Sequence, residues 1–163
     1  MSGEQVKHQS AGCDVCRTMP INGIRYKCAT CLSSYDLCST CKPSSEHGHP
    51  HWFKIHTDQG YRWRPPKDLV YTVGSCNGCN KEPTANGVWY KCIQPDCKQP
   101  MLCTVCEVGH PIEHILLSLA LDSTGKPIPV EPQDSSMYRP SCCAFGRIST
   151  LDWLRSTVAT PNK

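Results

Sequence analysis

Alternating apolar and polar residues predict a short strand that occurs twice in this chain of 163 residues. Residues 24–28 alternate directly after the pair Asn22-Gly23, which is typical of a tight turn leading into a strand. Residues 87–92 repeat the segment 23–28 with glycine, tyrosine, lysine and cysteine at the same positions. A repeat of this kind predicts two copies of one structural unit.

Three further apolar runs predict strands that complete the two copies. Residues 51–55 fit a closing strand of the first copy, and their large side chains are expected to form a small core. Residues 69–73 predict a strand that joins the second copy, and residues 115–121 predict its closing strand. No run reaches the roughly 20 apolar residues that span a membrane, so we expect no membrane partner.

Close cysteine pairs account for 12 of the 14 cysteines, and each copy ends with a pair of histidines. Cysteines two to four residues apart, followed by histidines, are typical of tetrahedral zinc sites, whereas disulfides would not need the histidines. Residues 1–5 lack an apolar signal segment, which argues against an oxidising compartment. We therefore expect an intracellular protein, cytoplasmic or nuclear, that binds metal.

The composition agrees with a fold that metal ions stabilise. Fourteen prolines and only two phenylalanines leave little material for a large apolar core. Four complete ligand sets predict four structural zinc ions and no open coordination position for catalysis, so we expect no catalytic residue and no enzyme. Twelve zinc-bound thiolates would add twelve negative charges and four zinc ions eight positive ones, which changes the formal charge from +3 to −1. A nucleic-acid partner is therefore not favoured.

The first copy resembles the ZZ-type zinc finger. The resemblance rests on residues 13–16, 20–28 and 35–38 and on the histidine pair that follows them. It implies small zinc-stabilised modules: two cross-brace ZZ-type fingers in tandem, each with short antiparallel strands and a short helix. The helix of the first finger would begin near Tyr35 and carry Cys38 and Cys41.

The domain organisation that follows has five parts. Residues 1–7 are a flexible N-terminus, 8–56 the first finger, 57–70 a linker and 71–121 the second finger. Residues 122–163 form a proline-rich tail that could contain a short helix at 149–158, and the adjacent Cys142 and Cys143 in it are interpreted as ordinary thiols.

The interleaved ligation of the family assigns four zinc sites. His49 is an alternative to His47, so the choice between these two stays open. The implied ligand sets are Cys13, Cys16, Cys38 and Cys41; Cys28, Cys31, His47 and His51; Cys76, Cys79, Cys103 and Cys106; and Cys92, Cys97, His110 and His114.

The resemblance also implies a function, since many ZZ fingers bind a free protein N-terminus through acidic residues beside the four-cysteine site. Asp14 and Asp36 fall on two positions of that pocket and Arg25 matches a third, whereas Ser34 stands where many members have a carboxylate. Arg17 occupies a position where some members have an amide. We therefore expect peptide binding by the first finger, through a pocket that is only partly acidic.

Other functions remain as alternatives. An adaptor or scaffold in selective autophagy or the ubiquitin pathway would need no amine recognition, and residues 145–148 have the aromatic-x-x-aliphatic spacing of a strand-adding motif. A ubiquitin ligase of the RING type would place a histidine in the middle of the ligand pattern, whereas here both histidines come last. A nucleic-acid interface would rest on residues 62–64 alone.

Overall fold

A computed structural model describes residues 6–31, 34–58 and 70–129. Short strands make up its regular structure, and the described residues contain one 3-10 helix, Cys106–Gly109, and no α-helix. The strands are β1 Lys7–His8, β2 Ile21–Asn22, β3 Arg25–Cys28, β4 Asp36–Cys38, β5 Trp52–Ile55, β6 Val88–Cys92, β7 Met101–Cys103 and β8 Leu116–Ala120.

Six of the strands form one antiparallel sheet in the order β4-β3-β5-β8-β6-β7. Strands β3, β4 and β5 come from the first copy of the repeat, and β6, β7 and β8 come from the second. The two copies, called here the first and the second module, therefore share a sheet through the pairing of β5 with β8. Strands β1 and β2 form a separate two-stranded ribbon.

The pairing between the modules is symmetrical. Cys28 lies opposite Trp52 in the first module and Cys92 lies opposite Leu116 in the second, so Trp52 and Leu116 are counterparts. Across the joint, Trp52 lies opposite Ser118, and Phe53 lies opposite its own counterpart Leu117. The same register results when the modules are exchanged, which is the property of an isologous, twofold interface.

The larger of two apolar clusters belongs to both modules. Phe53 and Ile55 of β5 are fully buried together with Trp89, Leu117 and Leu119 of the second module. A smaller cluster in the first module packs around three buried side chains, those of Ile21, Leu37 and Trp52. Each apolar cluster is small. The joint adds to the larger one by burying Phe53 and Ile55 of the first module against the second module.

The short helix predicted in each module is not confirmed: the described residues of the first module contain no helix, and those of the second contain only the 3-10 helix Cys106–Gly109. Residues 36–38 form β4, in which Leu37 pairs with Tyr26 and is fully buried. One helical hydrogen bond follows, from the Lys42 N–H to the Cys38 carbonyl at 3.1 Å. Pro43 has no N–H to continue it, so a turn takes the place of a helix.

Other predictions about local structure have mixed outcomes. The strands predicted within 24–28, 51–55, 87–92 and 115–121 are confirmed by β3, β5, β6 and β8. The strand predicted at 69–73 is wrong for residues 70–73, which form no strand. The predictions for residues 62–64, the two adjacent cysteines, residues 145–148 and the helix at 149–158 lie outside the described residues.

Candidate functional site: four metal centres and an adjoining pocket

The structure groups cysteine and histidine side chains into four clusters. In each cluster the four ligand atoms all lie within 4.8 Å of one another. Each module has one cluster of four cysteines and one of two cysteines and two histidines, and the ligands of the two clusters are interleaved along the chain. They are Cys13, Cys16, Cys38 and Cys41; Cys28, Cys31, His47 and His49; Cys76, Cys79, Cys103 and Cys106; and Cys92, Cys97, His110 and His114.

The distances within the clusters fit the edges of a tetrahedron around zinc. Zn–S bonds of about 2.3 Å and Zn–N bonds of about 2.0 Å place two sulfurs about 3.8 Å apart and sulfur and nitrogen about 3.5 Å apart. The sulfur pairs Cys16–Cys38 and Cys79–Cys103 are 3.9 and 3.7 Å apart. The distance from Cys28 Sγ to His47 Nε2 is 3.3 Å. Each cluster could therefore hold one zinc ion.

Disulfides do not account for these clusters. A disulfide needs sulfur atoms about 2.05 Å apart, which is far shorter than the sulfur separations found here. None of the 12 cysteines among the described residues forms a disulfide. When zinc is bound, it would hold the turns together and supply folding free energy.

One histidine assignment from the sequence is wrong. Both His47 and its alternative His49 lie in the cluster with Cys28 and Cys31, whereas His51 does not. The Ala29 N–H bonds the His51 carbonyl, as the Ile93 N–H bonds the Ile115 carbonyl in the second module. His51 is thus the counterpart of Ile115, a core position at the start of a strand, and its side chain points away from the metal ligands.

His51 instead joins the two modules. Its fully buried ring accepts a hydrogen bond at Nδ1 from the Ala120 N–H, at 3.1 Å, and donates one from Nε2 to the Ile128 carbonyl, at 2.8 Å. It also stacks on Tyr71 with ring centroids 5.2 Å apart. Burial lowers the pKa of His51, in agreement with the neutral ring that these bonds require.

A pocket of about 340 Å³ lies beside the four-cysteine cluster of the first module. Ser10, Ala11, Gly12, Cys13, Asp14, Arg17, Met19, Ser34 and Asp36 line it. It therefore contains three of the four residues predicted to bind a peptide. The fourth, Arg25, is buried and is connected to the pocket through Asp36.

The Asp36 carboxylate is already paired with a cation and accepts three hydrogen bonds from its neighbours. Arg25 donates from Nε to Oδ1 at 2.8 Å and from Nη2 to Oδ2 at 3.0 Å, and both side chains are buried. Ser34 donates to Oδ2 at 2.6 Å and itself accepts a bond from Lys27 Nζ at 2.6 Å. Asp36 is thus a positioning residue of the pocket wall.

Asp14 is the carboxylate with capacity left for a ligand. Its Oδ2 accepts the Asp36 N–H at 2.6 Å, whereas its Oδ1 lies 3.9 Å from Arg17 Nη1, beyond hydrogen-bond distance. The side chains of Asp14 and Arg17 are 33% and 65% exposed, so both face the pocket opening. The pKa of the Asp14 carboxyl is raised above its ordinary value, chiefly by burial and also by the charge of Asp36, while the bond from the Asp36 N–H and the charge of Arg17 oppose the rise.

The second module repeats this backbone with uncharged side chains at the positions of Asp14, Arg25 and Asp36. Asn77 Oδ1 accepts the Met101 N–H at 2.8 Å, as Asp14 does for Asp36. Trp89 occupies the position of Arg25 and donates from Nε1 to the Gly74 carbonyl at 3.0 Å. The positions of Asp14 and Asp36 therefore offer no carboxylate to a cationic ligand in the second module. Glu82, which takes the position of Met19, is the acidic residue of this surface and accepts a bond from Ser75 at 2.7 Å.

The family model "Zinc finger, ZZ type" matches residues 7–52. Residues 7–52 are a ZZ-type zinc finger. The ZZ finger contains both clusters of the first module and the residues around its pocket. The second module, which repeats the fold and the metal clusters, lies outside the matched residues.

Several curated proteins are similar to parts of the chain. The E3 ubiquitin-protein ligase mind-bomb of Drosophila melanogaster is 48% identical over 58 residues, 35% of this chain and 5% of that protein. Protein ref(2)P of Drosophila simulans is 38% identical over 53 residues, 32% of this chain and 9% of that protein. The chain thus spans only a small part of each. No solved structure gives a significant match.

One relative aligns with more of the chain than the ZZ finger. The autophagy receptor Nbr1 of Schizosaccharomyces pombe is 26% identical over 133 residues, 71% of this chain and 32% of that protein. A continuous stretch of that share, about 116 of the 163 residues, has to contain the second module's metal ligands wherever it begins. The second module therefore has a counterpart of detectable similarity in one other protein.

Three features of the site were not predicted from the sequence. His49 lies in the cluster together with His47 and not as an alternative to it, Lys27 donates a hydrogen bond to Ser34, and Lys54 forms an ion pair with Glu107 across the module joint. A signal existed for Lys27, because a lysine precedes the cysteine in both copies of the strand.

Among the residues that the structure describes, no helix has the length and apolar character needed to span a membrane.

Proposed function

We propose that this is a non-enzymatic, intracellular protein-interaction protein in which the ZZ finger binds the free N-terminus of a partner. The acceptor is the Asp14 carboxylate at the opening of the pocket. Four zinc ions keep the fold rigid, and the second module is a tandem ZZ-like unit. The location follows from the cysteines, which have to remain reduced in order to bind zinc.

The observation that supports this most strongly is the unsaturated Oδ1 of Asp14 beside a four-cysteine cluster. Four thiolates and one zinc ion carry a net charge of −2, which adds to the negative potential of the carboxylate. A protein α-amino group is a cation with three N–H donors, and charge-assisted hydrogen bonds to a carboxylate are the strong ones. The pocket therefore suits one ammonium group.

Titration of short peptides into the zinc-loaded full chain tests the proposal. Peptides with a free N-terminus are expected to bind, and the same peptides after N-terminal acetylation are not. Asp14→Asn is expected to weaken binding about 10- to 100-fold, since it removes one charge-assisted bond. Asn77 already occupies the equivalent position in the second module, so the fold tolerates an amide there.

Asp96→Asn is the matched control, because it removes the same charge from an exposed site in the second module. It is expected to leave peptide affinity unchanged. Equal affinity for free and acetylated peptides, or no binding of either, would defeat the proposal.

A second candidate function is that of an adaptor in selective autophagy. The alignment with the autophagy receptor Nbr1 supports it, since that alignment extends through the second module. Co-precipitation of the full chain with ubiquitin-like autophagy proteins would test it, and absence of any such complex would count against it. The match to mind-bomb covers only 5% of that protein and supports no ligase activity here.

A further inference from the structure

The charges around the pocket of the ZZ finger determine which N-termini it can accept. Of the two carboxylates that line it, Asp36 is already bound by Arg25 and Ser34. Asp14 is the carboxylate that is not held by a close cation, and its Oδ1 can accept one charge-assisted hydrogen bond from one ammonium group. A ligand with a second cation on its first side chain would find no further carboxylate among the lining residues.

Arg17 adds a positive charge to the same wall. It lines the pocket, its side chain is 65% exposed, and its guanidinium stays 3.9 Å from Asp14. Its backbone has φ 63°, in the left-handed region, and the Arg17 N–H bonds the Cys13 carbonyl at 2.9 Å, so the turn fixes where its side chain begins. A basic first residue would therefore be brought close to a like charge.

The remaining wall is small and partly apolar. Ala11 is buried, Gly12 has no side chain, and Met19 is 65% exposed at the edge. These residues can contact a short side chain and offer it no countercharge. An acidic first side chain would find the Arg17 guanidinium instead.

We propose that the pocket selects N-termini whose first residue is small and uncharged or acidic, and that it rejects N-terminal arginine and lysine. This inference rests on the proposed function, since it specifies the ligand of the same pocket. Arg17 is the selecting residue and Asp14 the residue that holds the amine.

The test uses three octapeptides that differ only in their first residue, Ala, Asp or Arg, each with a free or an acetylated N-terminus. They are titrated into the zinc-loaded full chain at fixed ionic strength. The Arg peptide is expected to bind at least about fivefold more weakly than the Ala and Asp peptides, the effect of one partly exposed charge pair. A smaller ratio, or tighter binding of the Arg peptide, would overturn the inference.

Arg17→Asn identifies the cause of the selection. Asn80 occupies the equivalent turn position at φ 58°, so asparagine is compatible with this backbone. In this variant the ratio between Ala and Arg peptides is expected to fall below about twofold. Lys81→Asn, which removes an exposed cation from the second module, is the matched control and should leave the ratio unchanged.

The outcomes separate the two proposals. If free and acetylated peptides bind equally, or none binds, the amine-binding function fails and the selectivity fails with it. If free peptides bind but Arg17→Asn leaves the ratio between Ala and Arg peptides unchanged, the amine-binding function stands and the selection by Arg17 is wrong.

Discussion

The two modules have the same backbone and the same kind of metal clusters, but they differ in how they fill one buried position. The first module places Arg25 there, paired with Asp36 beside the pocket, whereas the second places Trp89 there and has Met101 at the position of Asp36. The hydrogen bonds that hold the cysteine turns are equivalent in the two modules. For example, the Arg17 N–H bonds the Cys13 carbonyl as the Asn80 N–H bonds the Cys76 carbonyl. The fold therefore does not require the ion pair.

This difference indicates a functional use of the charged pair. Replacing a buried ion pair by packed apolar side chains is often neutral or stabilising, so a chain gains little stability from keeping one. In the first module the pair holds the Asp36 side chain in the pocket wall, next to the Asp14 carboxylate. The module that retains the ion pair is also the module with a pocket for a cation.

The largest expected effect comes from zinc removal, which tests whether the modules behave as one unit. Structural zinc supplies about 10 to 16 kcal/mol of apparent binding free energy in zinc-finger peptides. Excess chelator is expected to unfold both modules in a single transition, because Phe53 and Ile55 belong to the core of the second module. Elemental analysis should show four zinc ions per chain before chelation. Two separate transitions in tryptophan fluorescence would show that the modules are independent.

The histidines of the first module separate ligation from packing. His49→Ala is expected to lower the zinc content from four ions to three, since it removes one of four ligands. His51→Ala should retain four ions and lower the free energy of unfolding by about 2 to 4 kcal/mol, because it removes a buried ring and its two hydrogen bonds. Loss of zinc from the His51 variant would contradict the assignment.

Exchanging the buried pair makes the first module resemble the second. Asp36→Met alone should lower the free energy of unfolding by about 3 to 5 kcal/mol, because it leaves Arg25 buried without its carboxylate. Adding Arg25→Trp should recover at least about half of that loss, and a double-mutant cycle from urea unfolding measures the coupling. Additive losses would mean that the environment of Trp89 does not carry over to the first module.

The smallest expected effect is a pH dependence restricted to the first module. Burial lowers the pKa of His8, as does the charge of Arg25, while Gly23, Asp58 and Asp36 raise it. A depressed pKa favours the neutral ring in the folded state, so this contribution to stability is present above pH 6.5 and is lost as the pH falls through the folded-state pKa.

His8→Gln is the comparison for that effect. The stability difference between the original chain and the variant, from urea unfolding in saturating zinc, should decrease between pH 7.5 and 5.5. Zinc release at low pH affects both proteins and cancels in the difference. A difference that stays constant with pH would show that His8 titrates equally in the folded and unfolded chain.

The sequence predicted the parts of this structure that depend on local spacing. The cysteine pairs and the strands around Tyr26 and Tyr90 follow from spacing and alternation. The choice among the histidines did not, since His47, His49 and His51 are all close enough along the chain, and strand register decides which of them face the metal. The joint between β5 and β8 connects residues far apart along the chain, which no local pattern reveals.

That joint also bears on how the protein can be divided. A fragment ending at residue 58 would leave β5 as an open sheet edge, with Phe53 and Ile55 uncovered. Because the register is symmetrical, a second copy of the same fragment presents a matching edge. The isolated fragment is therefore expected to form a homodimer. Peptide affinities measured on that fragment would then describe a dimer with two identical pockets, whereas the intact chain has one such pocket among its described residues.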